Sequence, residues 1–477
     1  MTRVSTLRAL VIAAAVALAA ALARAQAPAP AVPTPAPALQ APSPAASAPP
    51  AFAALTYRFL PGASTERPAA LSATGEGLRL EWGKTPGWDT ALLGLKVAVS
   101  GEAPKVAVSA GGTTIEQYLD PGARGLRWIN LTGLRNQLRE GTAVELSPLG
   151  VTLDPAGASL RLFANRLAAQ GPVLVIAPHP DDAEIAAFGY YASNADRTTI
   201  VTVTSGNAGD ANYEDHVKDP AQQYLLKGYL RAWDSVTIPW QGGVPPQRAY
   251  NLGYFDARLK TLREKPAEVV PELYGPNTDL APYRKANVST LLPNGPRPHT
   301  WNNLVADLRD IFKKVKPAVV VMPYPQLDTH ADHQYAAVAA FEALAALDGA
   351  PAFLLYTNHA TGTANLYPYG PAGTPLSLPP YAHATLPVQG VYAHPVSPER
   401  QLRKLFALES MHDLRLSPAE QDRCGDPAAP RRPDYPRQPA VDYLRRGPRP
   451  EELFFVYDRA GVTEVLKAFL AAEAAAK

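Results

Sequence analysis

The sequence predicts an α/β protein: a Rossmann-like, doubly wound, mostly parallel sheet, preceded by a small β-sandwich-like domain. Three observations lead there. From Val173 onward, short continuous apolar runs alternate with helix-like segments, the pattern of βαβ units whose strands are buried on both faces. From Tyr57 to about Ala168, short strands are separated by glycine-rich breaks at fairly regular intervals, as in a small antiparallel β domain. Between the two, at Val173, the apolar periodicity changes. At ~150 residues per domain, the chain length suggests about three units, or two plus appendages.

The chain opens on Arg3 and Arg8, then an apolar run from Ala9 to Ala23 and the small residues of Ala23-Arg24-Ala25. A basic flank, a short apolar stretch and small cleavage subsites make a secretory signal, assigned to residues 1–25. The run falls short of the ~20 residues that a membrane-spanning helix needs, although an uncleaved anchor is the alternative. No cysteine follows it to carry a lipid, and no later stretch is long and apolar enough to span a bilayer. The expectation is a periplasmic or secreted protein with no integral membrane segment after signal cleavage. Residues 26–52 are almost entirely Ala and Pro, which makes a semi-rigid spacer with nothing to bury.

Residues 53–168 form the β-rich accessory domain, with strands such as Leu78–Trp82, Leu93–Val99, Val106–Val108 and Leu160–Phe163. Trp82, Trp88 and Trp128 fall here; exposed, they would suit sugar stacking, but a Trp in a small β domain is more often core. Gly83-Lys84-Thr85 is no phosphate loop, because Leu78 stands where the first glycine must be.

Residues 169–477 carry the α/β domain. Val173–Ala177 is a buried strand, a helix follows from Ala183, and Thr199–Thr204 is the next strand. Helices are expected over Pro220–Trp233, Trp301–Lys316 and Gln334–Leu347, with strands at Ala318–Met322 and Phe353–Tyr356. The proline-rich excursion from Pro239 to His299 is too long for a structureless connection and reads as a substrate-facing wall.

Composition excludes several functions. Lys and Arg number 45 against 43 Asp and Glu, a formal charge of +2, so there is no electrostatic footprint for nucleic acid or an anionic membrane. The single cysteine, Cys424, allows neither an internal disulfide nor a thiolate zinc site. Its neighbours Asp422, Arg423, Gly425 and Asp426 make a polar loop rather than the setting of a nucleophile.

Two clusters carry chemistry. His179-Pro180-Asp181-Asp182 follows the strand ending at Ala177, and Asp328-Thr329-His330-Ala331-Asp332-His333 follows the strand ending near Met322. In open parallel sheets, ligands bind beyond the carboxyl ends of the strands, where both clusters lie. Two imidazoles and one carboxylate make a three-ligand zinc site with a position left open, the catalytic pattern. His179 and Asp182 can converge on one ion around the tight turn, and His333 supplies the third ligand. Asp181 is then free to act as general base towards a water whose pKa zinc lowers to ~7. His330 and Asp332 remain as an acid and as a partner that fixes an imidazole tautomer. Taken singly, each cluster has a structural alternative: Asp182, Asp328 or Asp332 could merely cap a helix. The coincidence of both clusters at strand carboxyl ends favours the metal site.

These residues resemble the PIG-L/LmbE-like zinc-dependent N-acetylsugar deacetylases, whose signature is an apolar strand with His-Pro-Asp-Asp and a later His-x-Asp-His. The resemblance covers roughly residues 171–414. It implies zinc ligands His179, Asp182 and His333, with Asp181 as general base and His330 as acid or electrostatic stabiliser. Glu184, the turn Ser205-Gly206-Asn207, the segment Leu252–Asp256 and a late helix from Lys404 to His412 are further matches. By this resemblance Asp256 and Asn207 face the sugar. In some relatives a tyrosine two residues before the first His of the second motif helps bind the oxyanion; here that place is Asp328, assigned with the substrate-binding group. Two other features depart from the pattern: the Gly-Gly after the first motif is replaced around Ala187–Tyr190, and no Arg-x-x-Glu is evident in Gln222–Trp233.

The other histidines, His216, His299, His359, His383, His394 and His412, read as structural or solvated, with His412 the foremost exception. Arg431–Arg449 reads as a solvated loop rather than an anionic-glycan contact. The expected function is an exported zinc hydrolase that removes the N-acetyl group from an N-acetylated amino sugar of an envelope or extracellular glycan. That glycan is the expected partner; nucleic acid is not, and no oligomeric state is implied. The alternatives are a zinc amidase on another amide conjugate and a non-catalytic glycan-binding protein.

Overall fold

The computed structural model describes residues 57–475, apart from 76, 86, 102, 166, 168–169, 210–212, 215, 345–348, 361–366, 380–385 and 413–444. The expected signal (1–25), the spacer (26–52), His383, Cys424 and most of Arg431–Arg449 lie outside the described residues. All described residues belong to one compact unit, Pro49–Lys477. Among them, no helix is long and apolar enough to cross a membrane.

The fold is mixed α/β. Strand β1 is Tyr57–Phe59, and the β-rich region continues with β2 (Thr65–Pro68), β3 (Leu71–Thr74), β4 (Gly77–Trp82), β5 (Thr90–Val99), β6 (Lys105–Ala110), β7 (Thr113–Tyr118), β8 (Arg124–Asn130), β9 (Thr142–Leu149) and β10 (Val151–Phe163). They make a four-stranded sheet, β2-β10-β5-β8, and a five-stranded sheet, β3-β4-β9-β6-β7, all pairs antiparallel. In β4, Leu78, Leu80 and Trp82 turn inward while Arg79 and Glu81 face out, the alternation of a sheet with one solvated face. These inward residues share a core with Leu93 and Leu95 of β5 and Leu160 of β10. Trp82, Trp88 and Trp128 are all buried, so the core role expected of tryptophans in such a domain is the one they take.

β5 is different, because both its faces are covered. Leu93 points into the core between the two sheets, whereas Leu92, with Trp128 and Phe163, joins the core of the α/β part. Polar contacts follow the same seam. Asn130 Nδ2 donates to Glu451 Oε1 at 3.1 Å, and the Ala393 N–H donates to Thr90 Oγ1 at 2.9 Å.

The α/β part is built on a seven-stranded sheet. Its strands are β11 (Val173–Ala177), β12 (Thr198–Thr204), β13 (Ala249–Tyr254), β14 (Val319–Pro323), β15 (Ala352–Tyr356), β17 (Val391–Pro395) and β18 (Glu451–Tyr457), while β16 (Leu386–Val388) pairs with β1. The spatial order is β13-β12-β11-β14-β15-β18-β17. Only β18 runs against its neighbours. The helices are α1 (Asp182–Ser193), α2 (Pro220–Thr237), α3 (Leu259–Glu264), α4 (Ala281–Arg284), α5 (Trp301–Val315), α6 (Ala331–Leu344), α7 (Pro398–Glu409) and α8 (Arg459–Ala475).

Alternate residues of the central strands feed two cores, one on each face of the sheet. Leu174 and Ile176 pack with Leu304 and Leu308 of α5 and with α6. Val173, Val175 and Ala177 pack with Phe188 and Tyr191 of α1 and Ala407 of α7. Burial on both faces is why β11 and β14 read as unbroken apolar runs. The excursion from 239 to 299 contains β13, a strand not evident in the sequence because Asn251 and Gly253 interrupt its apolar pattern.

Candidate metal centre

Both motifs sit where β11 and β14 run out into loops. After β11 the chain turns sharply: the N–H groups of Asp181 and Asp182 donate to the His179 carbonyl at 2.9 and 3.3 Å. Asp182 Oδ2 accepts from the His179 N–H at 2.8 Å, which folds its carboxylate back beside the His179 ring. After β14, Asp328 Oδ1 accepts from the His330 N–H at 3.0 Å. His330 Nδ1 accepts in turn from the Asp332 N–H at 3.2 Å. The loop thus delivers His333 into the first turn of α6, fully buried.

Three donor atoms meet there. His179 Nδ1 is 3.1 Å from His333 Nε2, His333 Nε2 is 3.1 Å from Asp182 Oδ2, and His179 Nδ1 is 3.3 Å from the same oxygen. Two donors held ~2.0–2.1 Å from one tetrahedral zinc stand roughly 3.3 Å apart. The triangle therefore has the size and the N₂O donor set that fit one such ion.

Behind each imidazole stands a carboxylate. His333 Nδ1 pairs with Asp328 Oδ2 at 2.9 Å. His179 Nε2 pairs with Asp256 Oδ1 at 3.0 Å and Asp332 Oδ2 at 3.4 Å. Such partners fix the tautomer and aim the other ring nitrogen at the ion. They are themselves held: Asp332 accepts from the N–H groups of Ala257 at 2.6 Å and Leu259 at 3.1 Å. Asn207 Oδ1 accepts from the Asp256 N–H at 3.0 Å, while Asn207 Nδ2 donates to Glu272 and Tyr283. Asp181 points elsewhere, pairing through Oδ2 with Arg231 Nη2 at 3.1 Å.

The electrostatics follow from burying many carboxylates together. Burial opposes charge on His333, but Asp182 and Asp328 outweigh it and push its pKa up to about 10. Burial also opposes charge on His179, and Asp256, Asp182 and Asp332 hold its pKa well above the usual imidazole value. Against its own burial, Asp182 is held well below the carboxylate range by His333 and His179. Burial raises Asp181, with Arg231 pulling the other way. His330 goes in the opposite direction to His179 and His333. Burial and the positive charges of His179 and His333 push it down to about 3.

The structure brings His179, Asp182 and His333 into one triangle and places Asp181, His330 and Asp332 around it. Asp256 and Asn207 lie on the far side of His179, with Asp256 on its Nε2. Asp328 lies beneath His333 and is 1% exposed. Of three further neighbours, sequence reasoning did not single out Arg231 or Asn358, and it read His359 as structural or solvated. Arg231 holds Asp181. Asn358 Nδ2 donates to Asp182 Oδ1 at 2.7 Å, and its backbone N–H to Asp328 Oδ2 at 3.1 Å. His359 joins the histidine cluster, its ring 4.9 Å from that of His333. The signal for the last two was position: both follow β15 at its carboxyl end. Among the described residues, the cluster offers three overlapping metal-capable sets, His179/His330/His333, Asp182/His333/His359 and His179/Asp256/Asp332, each with ligand atoms within 4.8 Å of one another.

Of the remaining described histidines, His216 is exposed and the others make bonds elsewhere. His299 accepts from the Phe255 N–H, His394 pairs with Ser193 and Tyr392, and His412 pairs with Asp234 at 2.7 Å.

Residues 174–344 match the family described as PIG-L: GlcNAc-PI de-N-acetylase. No curated protein matches the chain. Among solved structures the chain is similar to the zinc-inhibited form of teicoplanin deacetylase Orf2, at 17% identity over 50% of this chain and 82% of that one, with a TM-score of 0.30. It is also similar to GalB, the 4-carboxy-2-hydroxymuconate hydratase of Pseudomonas putida, at 14% identity over 51% of this chain and 80% of that one, with a TM-score of 0.27. Likenesses of that size carry no argument about this chain.

Proposed function

We propose, from the premise that residues 174–344 are a PIG-L domain, that this protein is a metal-dependent deacetylase, and more specifically an exported zinc hydrolase that removes the acetyl group from an N-acetylated amino sugar of an envelope or extracellular glycan. The observation that carries the reading is the triangle of His179 Nδ1, Asp182 Oδ2 and His333 Nε2, with edges of 3.1 to 3.3 Å. Those three residues would hold the ion. When bound there, zinc supplies Lewis-acid polarisation of a carbonyl and a lowered pKa for water.

The rest of the chemistry belongs to the protein. Asp181 stands outside the triangle and acts as general base, taking a proton from the attacking water. Burial raises its pKa, which favours its holding that proton long enough to pass it to the leaving amine. Arg231 keeps its carboxylate aimed. His330, with a pKa near 3, is neutral at physiological pH and works as a hydrogen-bond donor rather than as an acid. The Asp332 N–H on its Nδ1 puts the ring proton on Nε2, free to reach the substrate amide. Asp256 and Asp332 keep His179 oriented.

In this reading the seven-stranded sheet is a Rossmann-like catalytic layer. The paired antiparallel sheets are a β-sandwich-like accessory module that helps hold glycan, and the apolar run near the N-terminus directs export. The test is acetate release from N-acetylated amino-sugar oligomers by the zinc-reconstituted chain. Acetate produced in step with free amine supports the reading. No acetate from any N-acetylated sugar by a chain that holds its zinc would refute it.

A further inference from the structure

His359 comes from neither motif, yet it is built into both. Its N–H donates to Asp328 Oδ2 at 3.3 Å, and its carbonyl accepts from the Thr329 N–H at 2.8 Å. Next to it, Asp328 and Ala360 form an antiparallel bridge. The preceding residue, Asn358, holds Asp182 and Asp328 together. The end of β15 is thereby pinned to the loop that carries His333, and the side chain at 359 is delivered to a fixed place.

That place is beside the triangle rather than in it. The metal-capable set that includes His359 contains Asp182 and His333 but not His179. His330 belongs to the set with His179 and His333. The two imidazoles thus stand side by side against His333, with ring centroids 5.1 Å (His330) and 4.9 Å (His359) from it and 5.5 Å from each other. A ring nitrogen of His359 lies within 4.8 Å of the ligand atoms of Asp182 and His333, close enough for the ring to meet a substrate held at the triangle. Asp328 cannot serve there, since it is buried beneath His333 and accepts from three backbone N–H groups.

We propose that His359 is a catalytic residue of this centre, its ring N–H donating a hydrogen bond to the carbonyl oxygen of the substrate amide as negative charge builds on that oxygen. The inference rests on the deacetylase reading above. An imidazole always keeps at least one N–H, and a fixed donor aimed at developing charge is worth more than one that must reorganise. His330 beside it is then left for the amide nitrogen.

The test uses the full chain reconstituted with zinc, and two small anions followed by calorimetry. Methylphosphonate carries tetrahedral oxygens like those of the attacked amide, and acetate is the planar product. His359→Ala is expected to keep its zinc and bind acetate almost as the wild type does, while methylphosphonate binding weakens about 10²–10³-fold. His359→Gln, whose amide can still donate, recovers part of that loss, and it carries the comparison if the alanine variant melts early. With an N-acetylated sugar, kcat falls in parallel while KM holds. Unchanged methylphosphonate binding would overturn the proposal. Loss of zinc from both variants would also overturn it, because His359 would then be a ligand. If the anions behave as expected but no amide is cleaved, the donor at 359 stands and the deacetylase reading fails.

Discussion

The β-rich region and the metal centre bury charge in opposite ways. In the β-rich region, Asp120 of the loop between β7 and β8 faces Arg127 of β8, Nε to Oδ1 at 2.8 Å and Nη2 to Oδ2 at 2.7 Å. One carboxylate meets one guanidinium, and the pair is closed. At the carboxyl ends of β11, β13 and β14, five aspartates, Asp181, Asp182, Asp256, Asp328 and Asp332, crowd together. Among the described residues, the permanent cation paired with them is Arg231, on Asp181. The surplus negative charge is met by protons on His179 and His333 or by a divalent cation. A closed pair explains itself as structure, whereas a buried surplus points to a ligand.

Predictions follow that would break or sharpen this contrast. The largest effect is expected from Asp181→Asn, which leaves the triangle intact. The variant should retain zinc and lose about 10²–10⁴-fold in kcat, the range of a general base; activity within a few-fold of wild type would remove Asp181 from the mechanism. Next comes the closed pair. Asp120→Ala strands a buried guanidinium and should cost about 3–5 kcal/mol in denaturant unfolding, with zinc stoichiometry unchanged. If zinc binding fell with it, the two regions would not be separable in this way.

The third prediction concerns protons. His333 of the zinc-free chain keeps its proton up to a pH near 10, whereas the unfolded chain releases it near ~6.5. A raised histidine contributes stability that is fully present below the unfolded value and lost as pH rises through the folded one. The zinc-free melting temperature should therefore fall between those values, and zinc uptake at pH 8 should release protons. Calorimetry in buffers of different ionisation enthalpy measures that release; a proton-neutral uptake would contradict the assignment. The smallest effect is at the seam between the regions. Burial pushes Glu451 up to about 7, so the folded state loses stability as pH rises from ~4.5 to 7. Glu451→Gln keeps the Oε1 acceptor for Asn130 and Leu376 and should melt slightly higher than wild type at pH 8. An equal or lower melting temperature at that pH would place the charge elsewhere.

Much of the centre was legible in the sequence because its chemistry is local. His179 and Asp182 share one turn straight after an unbroken apolar strand, and His330 to His333 share another a few residues beyond a second such strand. What could not be read depends on contacts between distant single residues. Arg231 meets Asp181 across 50 positions and Asn358 meets Asp182 across 176, and neither stands in a dense motif. Asp328 was visible as a residue, but its place beneath His333 depends on how β15 closes over the loop. The same holds for the fold. The runs at β11 and β14 announced themselves, while β13 was hidden by Asn251 and Gly253. That Leu92 and Leu93 of one strand serve two different cores is a property of the packing, not of the run they share.

The most direct test of the account is the metal content of the purified full chain after reconstitution with zinc, measured beside His333→Ala. The account predicts about one tightly held zinc per chain, lost in the variant while its fold persists. A well-folded chain that binds no zinc, or a variant that binds it as tightly as the wild type, would contradict the metal centre and everything argued from it.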